Sequence, residues 1–173
     1  MRIACVLANG FEDSEFKKPY DAFRAAGHEV TIIGLKAGEP LQGYRGKEKT
    51  KAEKGIDEVR PDQFDALFIP GGQSPDHLRV DDRVVNFVRA FRDRPIFAVC
   101  HGPQLLITAE LVRGRKMTAW KTVQVDLKNA GANVVDEEVV VDRNLVTSRK
   151  PEDLDAFIRE SMAQLGAGAG AHP

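Results

Sequence analysis

Only two cysteines, Cys5 and Cys100, occur in the 173 residues, with no CxxC pair and no histidine-rich cluster. Two cysteines build no disulfide framework and suit a reducing compartment, so a cytoplasmic location is expected. A structural metal has no ligand set to draw on, and none is expected. No apolar run approaches the ~20 residues that a bilayer span needs. The opening "MRIACVLANGFED" has one short apolar run and no small-residue cleavage site, so it reads as a first strand and not a signal peptide. Neither charge sign is in excess: the formal net charge is −1, which gives no electrostatic reason to expect nucleic acid or a membrane as partner. Neither GxGxxG nor GxxxxGK[ST] is present, so nucleotide binding has no motif behind it. What remains is one globular domain, long enough to bury a sizeable core.

Short β-branched runs alternate with longer helical patterns. "RIACVLA", "EVTIIGL", "FDALFIPGG" and "PIFAVC" read as buried strands. Phe16, Tyr20 and Phe23 mark a helix ended by Gly27, and Val84, Val88 and Phe91 mark another. "PQLLITAELV" reads as helical, "KMTAW" as a short strand before a helix through Ala130, and "NVVDEEVVVDRNLVTS" as short strands turning at Asp142–Asn144. Residues 36–60 are polar and glycine-rich, a hairpin or irregular excursion. Residues 151–165 form the last helix, so 1–165 is one domain. The low-complexity "GAGAGAHP" at 166–173 is expected to be disordered. Such alternation means an α/β fold with a mainly parallel sheet covered on both faces. Ligands then bind beyond the carboxyl ends of the strands. "NGFEDSE", "PGGQSPDH" and "CHGP" should meet there.

Cys100 ends a strand at a tight turn into a helix, the position a nucleophile elbow uses. Free N–H groups and the positive end of the helix dipole favour its thiolate, the reactive form, so a depressed thiol pKa is expected. Cysteine is also among the most buried residues, and from the turn alone both readings stand. Cys5, mid-strand, reads as core. As a base, His101 is favoured by adjacency; His77 reads as solvent-facing, His28 lies at the opposite edge, and His172 is in the tail. No histidine follows Cys100 at long range within the folded part, unlike the usual glutamine amidotransferase triad. Of the acids Glu12, Asp13 and Glu15, Asp13 reads as helix capping, alongside Ser14. Glu15 is slightly preferred over Glu12 to donate a hydrogen bond to sulfur, with a raised pKa. Gly71 and Gly72 can set bare N–H groups against an oxyanion, or simply make a turn. Trp120 lines the site or packs. The lysine-rich "YRGKEKTKAEKG" is interrupted by Glu48 and Glu53 and reads as a solvated face.

From "ANGFEDSE" through "FDALFIPGG", "AVCHGPQLL", "LVRGRKMTAW" and "DLKNAGA" to "VVDEEVVVDRNLVTSRKPEDL", the chain resembles the ThiJ/PfpI superfamily. It most resembles the PfpI-type intracellular cysteine peptidase branch. The resemblance implies a flavodoxin-like three-layer sandwich of the class I glutamine amidotransferase type. It also implies Cys100 as nucleophile, His101 as its partner, Glu15 hydrogen-bonded to the thiol and Glu12 at the pocket mouth. Members assemble as homodimers or hexamers, and in this branch a glutamate after the glycine loop reaches a neighbour's Cys-His pair. Asp76 stands at that position here, one methylene shorter, and Trp120 stands where a tyrosine is common. The implied function is a cofactor-free, stress-response cysteine hydrolase or lyase. Its substrate would be a peptide or a small carbonyl such as methylglyoxal and its adducts. The alternatives are a peroxide sensor working through oxidation of Cys100, and a chaperone.

Overall fold

The computed structural model describes residues 1–170. In chain order, β1 (Arg2–Val6) leads to α1 (Asp13–Ala25) and β2 (Glu29–Gly34). The polar excursion follows as a hairpin, β3 (Pro40–Gln42) and β4 (Lys49–Lys51), with β5 (Lys54–Gly55) after it. Then come β6 (Ala66–Ile69), α2 (Ser74–Arg79), α3 (Asp82–Arg89), β7 (Ile96–Val99) and α4 (Pro103–Thr108). The chain continues through β8 (Lys116–Met117), α5 (Lys121–Asn129), β9 (Asn133–Val134), β10 (Val140–Asp142), β11 (Leu145–Ser148) and α6 (Leu154–Gly170).

The main sheet runs β10-β11-β7-β6-β1-β2-β5. Every pairing in it is parallel except that of β10 with β11. Its three central strands, β7, β6 and β1, hold almost only apolar side chains because both faces are covered. One face carries Ala4, Val6, Leu67, Ile69 and Ala98, which pack with Leu78, Val88, Leu105 and Leu127 of α2 to α5. The other carries Ile3, Cys5, Phe68, Phe97 and Val99, which pack with Phe16 and Phe23 of α1 and Phe157 of α6. The result is three layers. Cys5 has no exposed surface and belongs to that second core. After β1 the chain turns to β2 on one side, and β6 later adds on the other. The β1 and β6 loops therefore part at a topological switch point, where such sheets open a crevice.

Two expectations need correction. α6 runs five residues past the expected end at 165, to Gly170, with no proline within 154–170 to break it. The end of the expected tail, 171–173, lies outside the described residues. The second concerns the start of α1, where the cap is Glu12, whose carboxylate accepts the Glu15 N–H at 2.9 Å. Asp13 turns away instead and accepts the backbone N–H groups of Arg45, Lys47 and Glu48 at 2.8–2.9 Å.

Candidate active site

Three loops leave the carboxyl ends of β1, β6 and β7 and converge. The first two are laced together: Glu12 N–H donates to Gly71 O at 3.1 Å and Gln73 N–H to Gly10 O at 2.8 Å. Gly72 has φ +78°, and a side chain there would meet the Glu12 amide and come within 2.7 Å of Gly10 O. At Gly71 a side chain would strike the Glu15 carboxyl. Both glycines are thus required by close packing, which the sequence left open between turn and function.

Cys100 adopts φ +62°, a left-handed conformation costly for a residue with a Cβ. Its N–H donates to Ser148 O at 3.0 Å and its carbonyl accepts the Trp120 N–H at 2.9 Å, so both neighbours hold the elbow. The side chain ends 7% exposed at the floor of a cavity of about 810 Å³. His101 Nδ1 lies 3.4 Å from the sulfur. The Trp120 ring stacks beside the His101 ring, centroids 6.4 Å apart, and Trp120 caps α5 at the cavity wall. Glu15 has no exposed surface, and neither carboxyl oxygen has a hydrogen-bond partner of good geometry. Cys100 and the Gly71 backbone are the polar groups it faces.

Charge in this corner is set by burial. It pushes the Glu15 carboxyl well above the usual carboxylate range, and the Glu12 charge adds to that. The Cys100 thiol is pushed up too, by burial first and then by Glu15 whenever that carboxyl is ionised, while the His101 backbone N–H opposes. The expected depression by the end of α4 is therefore outweighed in the resting site. Burial also lowers His101, which favours its neutral, proton-accepting form.

Glu12 and Gly72 line the cavity with Cys100, His101, Glu15 and Trp120; Gly71 lies behind them, against Glu15. Asp76 and His77 sit on α2 at the rim, both exposed. Asp76 makes no ion pair among the described residues, so nothing in one chain joins it to His101. Sequence reasoning missed Tyr44 and Arg45. Asp13 holds their hairpin over the cavity, and Arg45 Nε lies 2.7 Å from Glu12 Oε1. Their only signal was a carboxylate thirty residues upstream, which read as a helix cap. Among the described residues no cluster of three His, Cys, Asp or Glu side chains could hold a metal, and no helix is long and apolar enough to cross a membrane.

A parallel α/β sandwich with a strained cysteine elbow over a buried glutamate defines a class of cysteine-bearing domains. The chain belongs to the DJ-1/PfpI family, whose profile matches residues 1–164. It is 54% identical over 169 residues to protein/nucleic acid deglycase 2 of Escherichia coli (strain K12), covering 96% of this chain and 98% of that protein. It is 52% identical over 167 residues to general stress protein 18 of Bacillus subtilis (strain 168), covering 95% and 97%. Among solved structures, a two-domain Anabaena variabilis protein with DJ-1/ThiJ/PfpI-like and ferritin-like domains superposes with a TM-score of 0.92 at 39% identity. That match covers 95% of this chain and 48% of that one.

Proposed function

We propose that this chain is a cytoplasmic, stress-response hydrolase or lyase that uses Cys100 against the carbonyl carbon of glycation adducts or peptides, and that it works as a homo-oligomer. The observation that carries this reading is the φ +62° elbow, which spends backbone strain to set a sulfur on a cavity floor beside Glu15 and 3.4 Å from His101 Nδ1. Strain of this kind collects at functional sites, and a core thiol has no use for it. The similarity to a deglycase and a stress protein supports carbonyl adducts as the substrate class.

In the common first step Sγ bonds to the carbonyl carbon while the C=O π pair moves onto oxygen. The thiol proton passes to His101 Nδ1 and then to that oxygen, while protonated Glu15 donates to the sulfur as charge develops there, so the addition is balanced without a cofactor. The Gly72 N–H has no hydrogen-bond partner among the described residues and is available to the developing oxyanion. For a peptide, the hydroxyl proton returns through His101 to the departing amine as C=O re-forms, and water then hydrolyses the thioester to the acid and the free thiol. Arg45 and Glu12 form one side of the mouth, and Trp120 gives the substrate an apolar wall.

The test is steady-state turnover of wild type and Cys100→Ser on methylglyoxal, methylglyoxal-modified N-acetyl amino acids and a peptide panel. Turnover should fall about a thousandfold or more with serine. Wild-type inactivity on all three, or equal rates in the variant, would refute the reading.

A further inference from the structure

The sheet edge opposite Cys100 carries a second cavity of about 560 Å³. Asp93, at its rim, precedes β7, whereas Cys100 follows the other end of that strand. Four arginines line the cavity: Arg92, Arg113, Arg115 and Arg143. Half-buried Ile107 and Ala130 contribute apolar surface to it.

Its frame is rigid. The Arg115 side chain is 11% exposed and lies 3.1 Å from Asp142 Oδ2; its Nη2 donates to Asp142 O at 2.8 Å and Asn144 Oδ1 at 3.0 Å. Asn144 in turn donates to the carbonyls of Arg92 and Arg94 at 2.9 and 2.7 Å, which ties the β10–β11 turn to the start of β7. Arg143 shares Asp142 at 3.2 Å. Of the lining acids, Glu110 is drawn to Arg89 at 3.7 Å, outside the lining. Arg92 and Arg113 have no carboxylate within ion-pair reach among the described residues. Two uncommitted guanidinium groups and one carboxylate, Asp93, which makes no ion pair among the described residues, thus border a concave, partly apolar site, in a chain whose net charge is −1.

Arginine presents a planar fork that matches a phosphate with two parallel N–H donors, and its charge is independent of pH in the working range. The volume lies within the ~300–1,000 Å³ range typical of small-ligand pockets. We propose that this cavity is a binding site for a phosphate-bearing small molecule with an apolar, ring-containing body, of the mononucleotide class. Arg92 and Arg113 take the phosphate, Ile107 and Ala130 meet the ring, and Arg115 fixes the wall. The site is separate from the chemistry at Cys100 and independent of the function proposed for it.

Isothermal titration calorimetry on the full chain, with AMP, adenosine and inorganic phosphate as probes, tests this. AMP should bind at least about tenfold more tightly than either part alone, and more weakly as salt rises. The double variant Arg92→Ala/Arg113→Ala should lose about tenfold or more in AMP affinity. Both residues are exposed and outside the Cys100 cavity, so an unchanged melting temperature and unchanged Cys100 alkylation would show that the variant is folded. No AMP binding at millimolar concentration, adenosine binding as tightly as AMP, or undiminished AMP affinity in the folded double variant would each overturn the assignment.

Discussion

At Cys100 burial works against the thiolate, so the proton on Glu15 governs the sulfur. One negative charge shared by the pair could sit on the carboxylate, fully buried with both oxygens unpartnered, or on the sulfur, which has the His101 N–H and a cavity beside it. An unpartnered buried charge is the costlier of the two. Glu15 therefore stays protonated and donates to the thiolate when it forms. Glu15→Ala should raise the pH midpoint of Cys100 alkylation by iodoacetamide by about one unit, roughly what a charge-assisted hydrogen bond supplies. A fall in the midpoint would mean that Glu15 repels the sulfur as an anion. Stability gives an independent reading. The folded state holds the Glu15 proton more tightly than the unfolded chain, so this contribution is full below the unfolded value near ~4.3 and is lost as pH rises through the folded value. Glu15→Gln cannot titrate, so the melting temperature of wild type relative to this variant should drop as pH rises above about pH 4. A difference that stays constant with pH would contradict the raised carboxyl.

Among the elements, the buried strands and the long helices were legible because their apolar residues recur with the period of the element they form. β6 and β7 are unbroken apolar runs, and Phe16 and Phe23 bury one face of α1. The elbow was legible too, since strand, Cys-His and Gly-Pro fall in order. The hairpin that roofs the site was not. β3 and β4 have three residues each and bury little, so no periodicity marks them. Their position depends on Asp13, a contact distant in sequence that no local pattern encodes. Burial alone would raise the Asp13 carboxyl, but the N–H groups of Arg45, Glu48 and Lys47 outweigh it and hold the group below its ordinary value. A depressed acid stabilises above its unfolded pKa, and that stabilisation is lost as pH falls through the folded one. The hairpin anchor should thus be intact at neutral pH. Asp13→Ala should cost about 2 kcal/mol, the scale of hydrogen bonds to a charged acceptor. It should also speed amide exchange at Arg45, Lys47 and Glu48 and raise KM more than it lowers kcat. Unchanged exchange at those amides would show that the hairpin is held by its other contacts, such as Tyr44 N–H to Phe11 O at 2.9 Å.

For the whole molecule, the open question is whether one chain contains a complete site. His101 touches the sulfur and stacks on Trp120, yet no carboxylate of its own chain hydrogen-bonds to its ring among the described residues. Asp76 stands on the rim of the same cavity, exposed and without an ion-pair partner there. We infer that Asp76 serves the His101 of a second copy, where a carboxylate would orient the imidazole and favour its charged form during proton transfer. The aspartate is short, so one bridging water could complete the contact. Purified protein should then run as a dimer or larger. Asp76→Ala should cut turnover about tenfold to a hundredfold with little change in melting temperature, and should shift the pH profile governed by His101 to lower pH. Asp76→Glu should retain the activity and the profile. Mixing Asp76→Ala with Cys100→Ser under conditions that exchange subunits should restore part of the lost turnover, because a mixed pair contains one site with both groups intact. Native mass spectrometry would verify that mixed oligomers formed. Mixed oligomers without restored turnover would make each site self-contained and Asp76 a solvated acid on α2.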